Sequence, residues 1–223
     1  MPRVKSRNYA EAYKLYAAQV IPQIDAEIAE KGNFWMETNY DIGENMGTIN
    51  IVLDSADKDR KLQRITREIL EEHKGGENLT LIGIQTRGVY LAKRIQSSIK
   101  EIEGIKVPTG EMDITLYRDD WTRISPNPIV KTTNISFSVD GKQVILVDDV
   151  LFTGRTTRAA MDALIDFGRP DRIELAVLVD RGHRELPIQA NYIGEFVETR
   201  RSETVNVLLK EHDGEDKVVI EKK

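Results

Sequence analysis

The densest chemistry in the sequence lies at residues 144–156, VILVDDVLFTGRT. A hydrophobic run ends in two adjacent carboxylates, Asp148 and Asp149, and the turn Thr153-Gly154-Arg155-Thr156 follows. The order predicts a buried strand, a turn and the start of a helix. Open parallel sheets bind ligands at the carboxyl ends of their strands. A helix N-terminus offers unpaired backbone N–H groups and positive partial charge, which suits a phosphate. Gly154 lets the backbone approach an anion closely. Thr153 and Thr156 add hydroxyl donors, and Arg155 adds charge. Asp148 and Asp149 stand where they could accept hydrogen bonds from sugar hydroxyls. The plain alternative is a turn and a helix cap without a ligand. A Walker-type nucleotide loop is excluded, because GxxxxGK[ST] occurs nowhere.

These residues need a scaffold, and the flanking sequence supplies one. A helix fits Ser55 to about His73, with Leu62, Ile65, Ile69 and Leu70 on its inner face. LTLIGI (79–84) reads as a buried strand, Thr86-Arg87-Gly88 as a turn, and Val89 to about Ile99 as a helix. Residues 105–117 carry the next strand, ending in DITLY. KQVILVDD (142–149) and RIELAVLVD (172–180) are continuous apolar strands, as in a parallel sheet covered on both faces. A helix from Arg155 to about Phe167 lies between them. NYIGEF, TVNVLLK and DKVVIE are further short strands. Strands alternating with helices imply an α/β fold with a mostly parallel sheet. The polar segment 118–134 is long for a loop in a compact domain, and such loops are usually functional. Residues 8–31 form an amphipathic helical pattern with Tyr13, Tyr16, Val20, Ile24 and Ile28 on one stripe. Pro22 should bend or break that helix. Phe34 and Trp35 sit in the Asn- and Gly-rich stretch that follows. The expected division is therefore 1–50 as an N-terminal extension and 51–223 as the main domain.

Composition narrows the chemistry. The 223 residues are 40% hydrophobic, enough for a sizeable core, and contain no cysteine. Disulfide scaffolds, zinc–thiolate sites, iron–sulfur clusters and cysteine nucleophiles are excluded together. With only His73, His183 and His212, a histidine-built metal site is not expected. No run of about 20 apolar residues exists to span a membrane. The N-terminus lacks an apolar signal core, so a cytoplasmic location is expected. The net charge of −5 argues against a protein that grips nucleic acid over its whole surface. RNA could be held only by a local basic patch.

The 144–156 segment resembles, without a gap, the phosphoribosyl pyrophosphate (PRPP) signature of type I phosphoribosyltransferases. GEMDITLYRDD (110–120) and LAVLVDRGHRELPIQANYIG (175–194) are more specific. With LTLIGIQTRGVYLAK (79–93), they resemble the pyrimidine-operon attenuator/uracil phosphoribosyltransferase family, the PyrR type. The resemblance covers roughly 51–221, and it implies Met46 as an alternative start, because MGTINIVLDSAD begins where the family normally begins. It implies a parallel central sheet flanked by helices, with a small base-binding hood. It also implies conversion of uracil and PRPP to UMP and pyrophosphate with Mg²⁺.

By that resemblance, Thr153, Gly154, Arg155 and Thr156 hold the 5′-phosphate. Asp148 and Asp149 bind the ribose hydroxyls and the metal, directly or through water. Thr86, Arg87 and Gly88 meet the pyrophosphate, with Gln85 in a slot where lysine is common. For Arg87 the plain alternative is a solvated surface arginine. Arg118 and Arg123, from the long loop, would close over the diphosphate; Lys131 could join them or be an ordinary surface lysine. Val179, Asp180 and Arg181 begin the base site. Tyr192 and Ile193 fit ordinary core packing better than a wall for the base.

The family's second role is to bind operon leader RNA with UMP as corepressor. The positions implied are Arg64 and Arg67 beside Gln63, with His183 and Arg184. For His183 a capped loop histidine is the alternative. Gln189 and Glu195 replace basic residues, and Glu195 puts negative charge where a phosphate should approach. A regulator with vestigial catalysis is therefore a second reading, and a purine phosphoribosyltransferase a third. Homo-oligomers, dimers or higher, are the family norm.

Overall fold

In a computed structural model of the chain, residues 49–119 and 132–222 are described. They belong to one compact unit, Gly47–Lys223. The expected helix over 8–31, Phe34, Trp35, Met46, Arg123 and Lys131 lie outside the described residues.

The chain runs β1 (Ile49–Leu53), α1 (Ser55–Glu72), β2 (Leu79–Ile84), α2 (Arg87–Glu103) and β3 (Thr109–Met112). A short 3₁₀ turn follows at Thr115–Tyr117. Then come β4 (Gln143–Leu151), α3 (Arg155–Ile165), β5 (Arg172–Asp180), β6 (Tyr192–Phe196), β7 (Glu203–Leu208), α4 (Lys210–Asp213) and β8 (Lys217–Lys222). Five strands make a parallel sheet in the order β3-β2-β4-β5-β6. The other three make an antiparallel sheet in the order β1-β8-β7.

The apolar runs of the central strands are continuous because both faces of the sheet are buried. Leu81, Ile145, Val147, Ala176 and Leu178 face one core, shared with Leu62, Ile65, Ile69, Leu91 and Ile95 of α1 and α2. Val205, Val207 and Val218 of the small sheet complete that side. Ile82, Ile84, Val144, Leu146, Leu175 and Val177 face the second core, with Ala159, Ala160, Ala163 and Leu164 of α3. Neighbouring residues on a strand point to opposite faces, so the two cores take alternate residues until the end of β5, where Leu178 and Val179 both belong to the first.

Local chemistry sets the ends of the helices. Asp54 caps α1 by accepting from the Asp57 backbone N–H at 2.7 Å. Gly104 closes α2 in the left-handed conformation, φ 72°. That helix is longer than the sequence pattern indicates, starting at Arg87 and running to Glu103.

The strand expected over 105–117 is a correction. Only Thr109–Met112 is extended. The Asp113 carboxylate accepts from both the backbone N–H (2.9 Å) and the hydroxyl (2.6 Å) of Thr115. This Asp-led turn diverts DITLY into the 3₁₀ turn. β1 was not foreseen. It begins inside the segment assigned to the extension, and only its pairing with β8 makes it a strand.

Candidate active site

Three loops meet at the carboxyl end of the parallel sheet. They follow β2 (85–88), β4 (152–155) and β5 (181–191). Register brings them level: Gly83 pairs with Val147, Asp148 with Val177, and Leu151 with Asp180.

Asp148 and Asp149 lie in the last turns of β4. Asp148 is only 7% exposed, and its Oδ1 accepts from the Asp149 backbone N–H at 2.9 Å. Asp149 in turn accepts from Val150 N–H at 2.9 Å. Burial pushes the Asp148 carboxyl well above the usual carboxylate range, and the neighbouring Asp149 charge adds to the push. Burial also raises Asp149, although its hydrogen bonds and the Arg87 guanidinium offset part of the effect. Two adjacent carboxylates in a desolvated place lack a full positive counterpart.

The phosphate-loop candidates follow directly. Gly154 has φ 89°, a conformation that disfavours a side chain. α3 starts at Arg155 with no side-chain cap on Gly154. Thr153, Gly154, Arg155, Thr156 and Arg118 line a cavity of about 310 Å³ with Phe152. Arg155 is an ion-pair hub, donating from Nε to Glu185 at 2.8 Å and from Nη1 to Asp119. Glu185 also pairs with Arg201.

The 85–88 loop sits against β4. A Cβ on Gly88 would fall 2.3 Å from the Val147 carbonyl oxygen and 3.2 Å from Asp148 Cα. Only glycine allows α2 to start this close to the carboxylate pair. Thr86 holds the N-cap position. Arg87 donates from Nη2 to Asp213 Oδ1 at 2.7 Å and from Nε to Oδ2 at 3.1 Å. Gln85 donates to Glu111 at 3.3 Å.

The base-site candidates are more deeply committed than expected. Val179 is fully buried in the first core. Asp180 accepts from Gly182 N–H at 2.9 Å and pairs with Arg184. Arg181 donates to the carbonyls of Arg200 (3.0 Å) and Glu203 (2.7 Å), and its guanidinium lies 4.2 Å from the Phe152 ring centre. Asp180 and Arg181 thus pin the loops, and Val179 packs the core.

The residues implied for RNA divide in the same way. Arg64 pairs with Glu68 and donates to the carbonyls of Ile193 and Gly194, both at 2.7 Å. It covers the open edge of β6. Arg184 donates to the carbonyls of Phe152 (2.8 Å), Gly182 (3.0 Å) and Ile188 (3.0 Å) besides Asp180. His183 has φ 61° and its Nε2 lies 2.7 Å from the Thr199 carbonyl oxygen. Arg67 and Gln63 are exposed on α1. Glu195 pairs with Lys61. Tyr192 is buried, its hydroxyl donating to Glu174 at 3.1 Å, so it is a core residue.

Sequence reasoning missed Asp213, Glu185 and Asp119, the acidic partners of Arg87 and Arg155. No local signal marks them, since their importance lies in distant pairing.

The donor set can be tested against Mg²⁺. No cluster of three or more His, Cys, Asp or Glu side chains able to hold a metal exists among the described residues. The carboxylate pair is what the site offers. That fits an ion that keeps most of its waters and takes further oxygens from a phosphorylated substrate. A cation there would also relieve the repulsion between Asp148 and Asp149.

Comparison with known proteins matches residues 51–207 to the phosphoribosyl transferase domain family. The "Bifunctional protein PyrR" of Desulfosudis oleivorans is 61% identical over 170 residues, covering 76% of this chain and 94% of that one. Its namesake from Clostridioides difficile is 60% identical over 161 residues, covering 72% and 91%. Among solved structures, a hypoxanthine phosphoribosyl transferase of Trypanosoma cruzi superposes with TM-score 0.61 at 15% identity, covering 81% of this chain and 94% of that one. At that identity the likeness shows the fold alone. The chain belongs to the phosphoribosyltransferase family and, within it, to the PyrR type. No helix among the described residues is long and apolar enough to cross a membrane.

Proposed function

We propose that this member of the PyrR-type phosphoribosyltransferases makes UMP and pyrophosphate from uracil and PRPP. The observation that carries the reading is one juxtaposition. A buried carboxylate pair, a glycine-opened phosphate loop and an arginine-bearing turn share the carboxyl end of one sheet. In this reading residues 51–223 are the transferase domain and 1–50 an extension.

In the reaction, uracil N1 bonds to ribose C1′ and gives up its proton, which ends on the pyrophosphate or in water. The bond from C1′ to the diphosphate oxygen breaks, and the electron pair leaves with pyrophosphate. The protein's work is to position the partners and to stabilise charge, without a covalent nucleophile. The backbone N–H groups opening α3, with Thr153, Thr156 and Arg155, hold the 5′-phosphate. Asp148 and Asp149 accept from the ribose hydroxyls and would hold Mg²⁺, whose chemistry is to neutralise the diphosphate. Arg87, with Thr86 and Gly88, receives the departing charge, and Arg118 approaches from the far wall of the cavity. Uracil is read by backbone groups after β5, the side chains of Val179, Asp180 and Arg181 being engaged elsewhere. The small sheet β1-β8-β7 supplies the hood.

A second activity, UMP-dependent binding of operon leader RNA, is supported by relatives named bifunctional. Against a dominant regulatory role stand the inward commitment of Arg64 and Arg184 and the negative charge of Glu195. The same reading places the protein in the cytoplasm as a homo-oligomer.

The test is UMP formation from uracil and PRPP, with and without Mg²⁺, beside an Asp148→Asn/Asp149→Asn variant. Turnover that needs Mg²⁺ and is lost in the variant supports the enzyme. No turnover, with UMP still bound, would replace it with the regulator. Preference for hypoxanthine over uracil would replace it with the purine enzyme. For the RNA role, leader RNA is titrated at several salt concentrations, since phosphate contacts give affinity that falls with salt.

A further inference from the structure

The C-terminal segment 210–216 is tied to the start of the chain's catalytic half by an unusual density of charge. Arg87 Nε and Nη2 both reach the Asp213 carboxylate. Such a fork fixes the plane of the guanidinium as well as its distance. Asp213 is itself held, because its Oδ2 accepts from the Leu209 backbone N–H at 2.8 Å. Farther along α2, Arg94 donates to Glu211 (2.6 and 2.8 Å) and to Asp216 (2.9 Å). Asp216 also pairs with Lys58, a fully buried lysine of α1 that donates to the Leu208 carbonyl at 3.0 Å. Asp213 therefore stands on a segment fastened to α1 and α2 at several points.

Arg87 is at the other end of this arrangement. It opens α2 beside Gly88, against the end of β4. Its charge is near enough to Asp149 for the two to interact. A guanidinium has five N–H donors. The Nε–Nη2 edge faces Asp213, which leaves the Nη1 side for an anion.

We propose that Asp213 is a positioning residue for phosphoribosyl transfer, fixing the Arg87 guanidinium so that its remaining edge meets the diphosphate of PRPP. The proposal rests on the reading that Arg87 meets that diphosphate. Asp213 touches no reacting atom in this scheme and acts through Arg87 alone.

A double-mutant cycle on the full chain tests it, with Asp213→Asn, Arg87→Gln and their combination. Glu211→Gln serves as a control that removes a neighbouring tie without touching Arg87. Steady-state KM for PRPP, KM for uracil and inhibition by pyrophosphate are measured with Tm. Asp213→Asn is expected to raise KM for PRPP and the inhibition constant of pyrophosphate about tenfold, equivalent to about 1.4 kcal/mol. KM for uracil should stay near the parent value. Arg87→Gln should raise the same two constants at least as much, and Asp213→Asn should add nothing in that background. Glu211→Gln should leave both constants unchanged. Loss of folded protein lowers kcat without entering KM, so a destabilised variant still reports. An unchanged or lowered KM for PRPP in Asp213→Asn, with a raised one in Arg87→Gln, would overturn the proposal and make Asp213 a competitor of the ligand. Additive effects in the double variant would also overturn it. An unchanged KM in Arg87→Gln would remove the diphosphate role of Arg87, and the proposal with it.

Discussion

Replacing Gly88 by alanine tests whether close packing of α2 on β4 builds the site. The new Cβ would lie 2.3 Å from the Val147 carbonyl oxygen and 3.2 Å from Asp148 Cα. Both are backbone atoms, so no side chain can swing away. Relief needs the start of α2 to retreat by roughly 1 Å, and overpacking of this kind costs about 1–3 kcal/mol. Alanine in place of glycine returns at most about 1 kcal/mol of helix propensity. The net loss is therefore about 0–3 kcal/mol, a fall in Tm of no more than roughly 12 °C for a domain of this size. Function should suffer far more. A misplacement of about 1 Å at a positioned group can lower a rate about 100-fold, and the displaced residues include Arg87. The assay is kcat/KM for UMP formation at saturating uracil, beside Tm. Gly76→Ala is the matched control, because its Cβ meets only the side chains of Ile105 (2.6 Å) and Val107 (3.2 Å). A Gly88→Ala protein whose kcat/KM stays within about tenfold of the parent would refute the argument that this contact sets the site.

Asp149→Asn should cut kcat/KM at least ~100-fold, about 2.7 kcal/mol of transition-state stabilisation, and normal turnover would remove the residue from the mechanism. Asp148→Asn should raise the Tm of the ligand-free protein at neutral pH, because it removes a desolvated charge that Asp149 repels; differential scanning calorimetry reads the shift. The Arg87 and Arg94 guanidinium groups hold the Asp213 and Glu211 carboxyls below their usual range. A carboxyl lowered in this way stabilises the fold above its unfolded pKa, about 3.9–4.3, and ceases to do so as pH falls through the folded value. Tm should therefore fall as pH drops below about 4, and Glu211→Gln should flatten that fall.

The parts of this fold that were legible in the sequence are those whose cause is local. The stripe of Leu62, Ile65, Ile69 and Leu70 gave α1 nearly to the residue, from Ser55 to Glu72. RIELAVLVD gave β5 without error, because a strand buried on both faces leaves an unbroken apolar run. The strand expected over 142–149 runs over Gln143–Leu151, since Val150 and Leu151 stay extended through pairing with Val179 and Asp180 of β5. DITLY misled because its residue types favour a strand, while the Asp113 side chain bonds to Thr115 and bends the chain. The site divides likewise. Gly154 and the Asp148–Asp149 pair announce themselves by neighbouring residues. Arg87 and Arg155 were legible as cations but not as partners of Asp213 and Asp119. Arg64 and Arg184 are expected on an RNA-facing surface from the resemblance, and only the folded chain shows the carbonyls they satisfy.

The pairing of β1 with β8 has a consequence for how the protein is made. β1 is the first strand of the domain to leave the ribosome, and its only partner among the described residues, β8, is the last. The small sheet cannot close until β8 has left the exit tunnel. Until then Arg87, Arg94 and Lys58 wait without the acidic residues at 211–216. The parallel sheet has all its strands earlier in the chain, so the nascent domain would assemble its centre first and complete the charged segment at 211–216 last. Because β1 and β8 lie side by side, a short linker joining them, with new ends opened elsewhere in the chain, should preserve the fold while reversing that order of assembly.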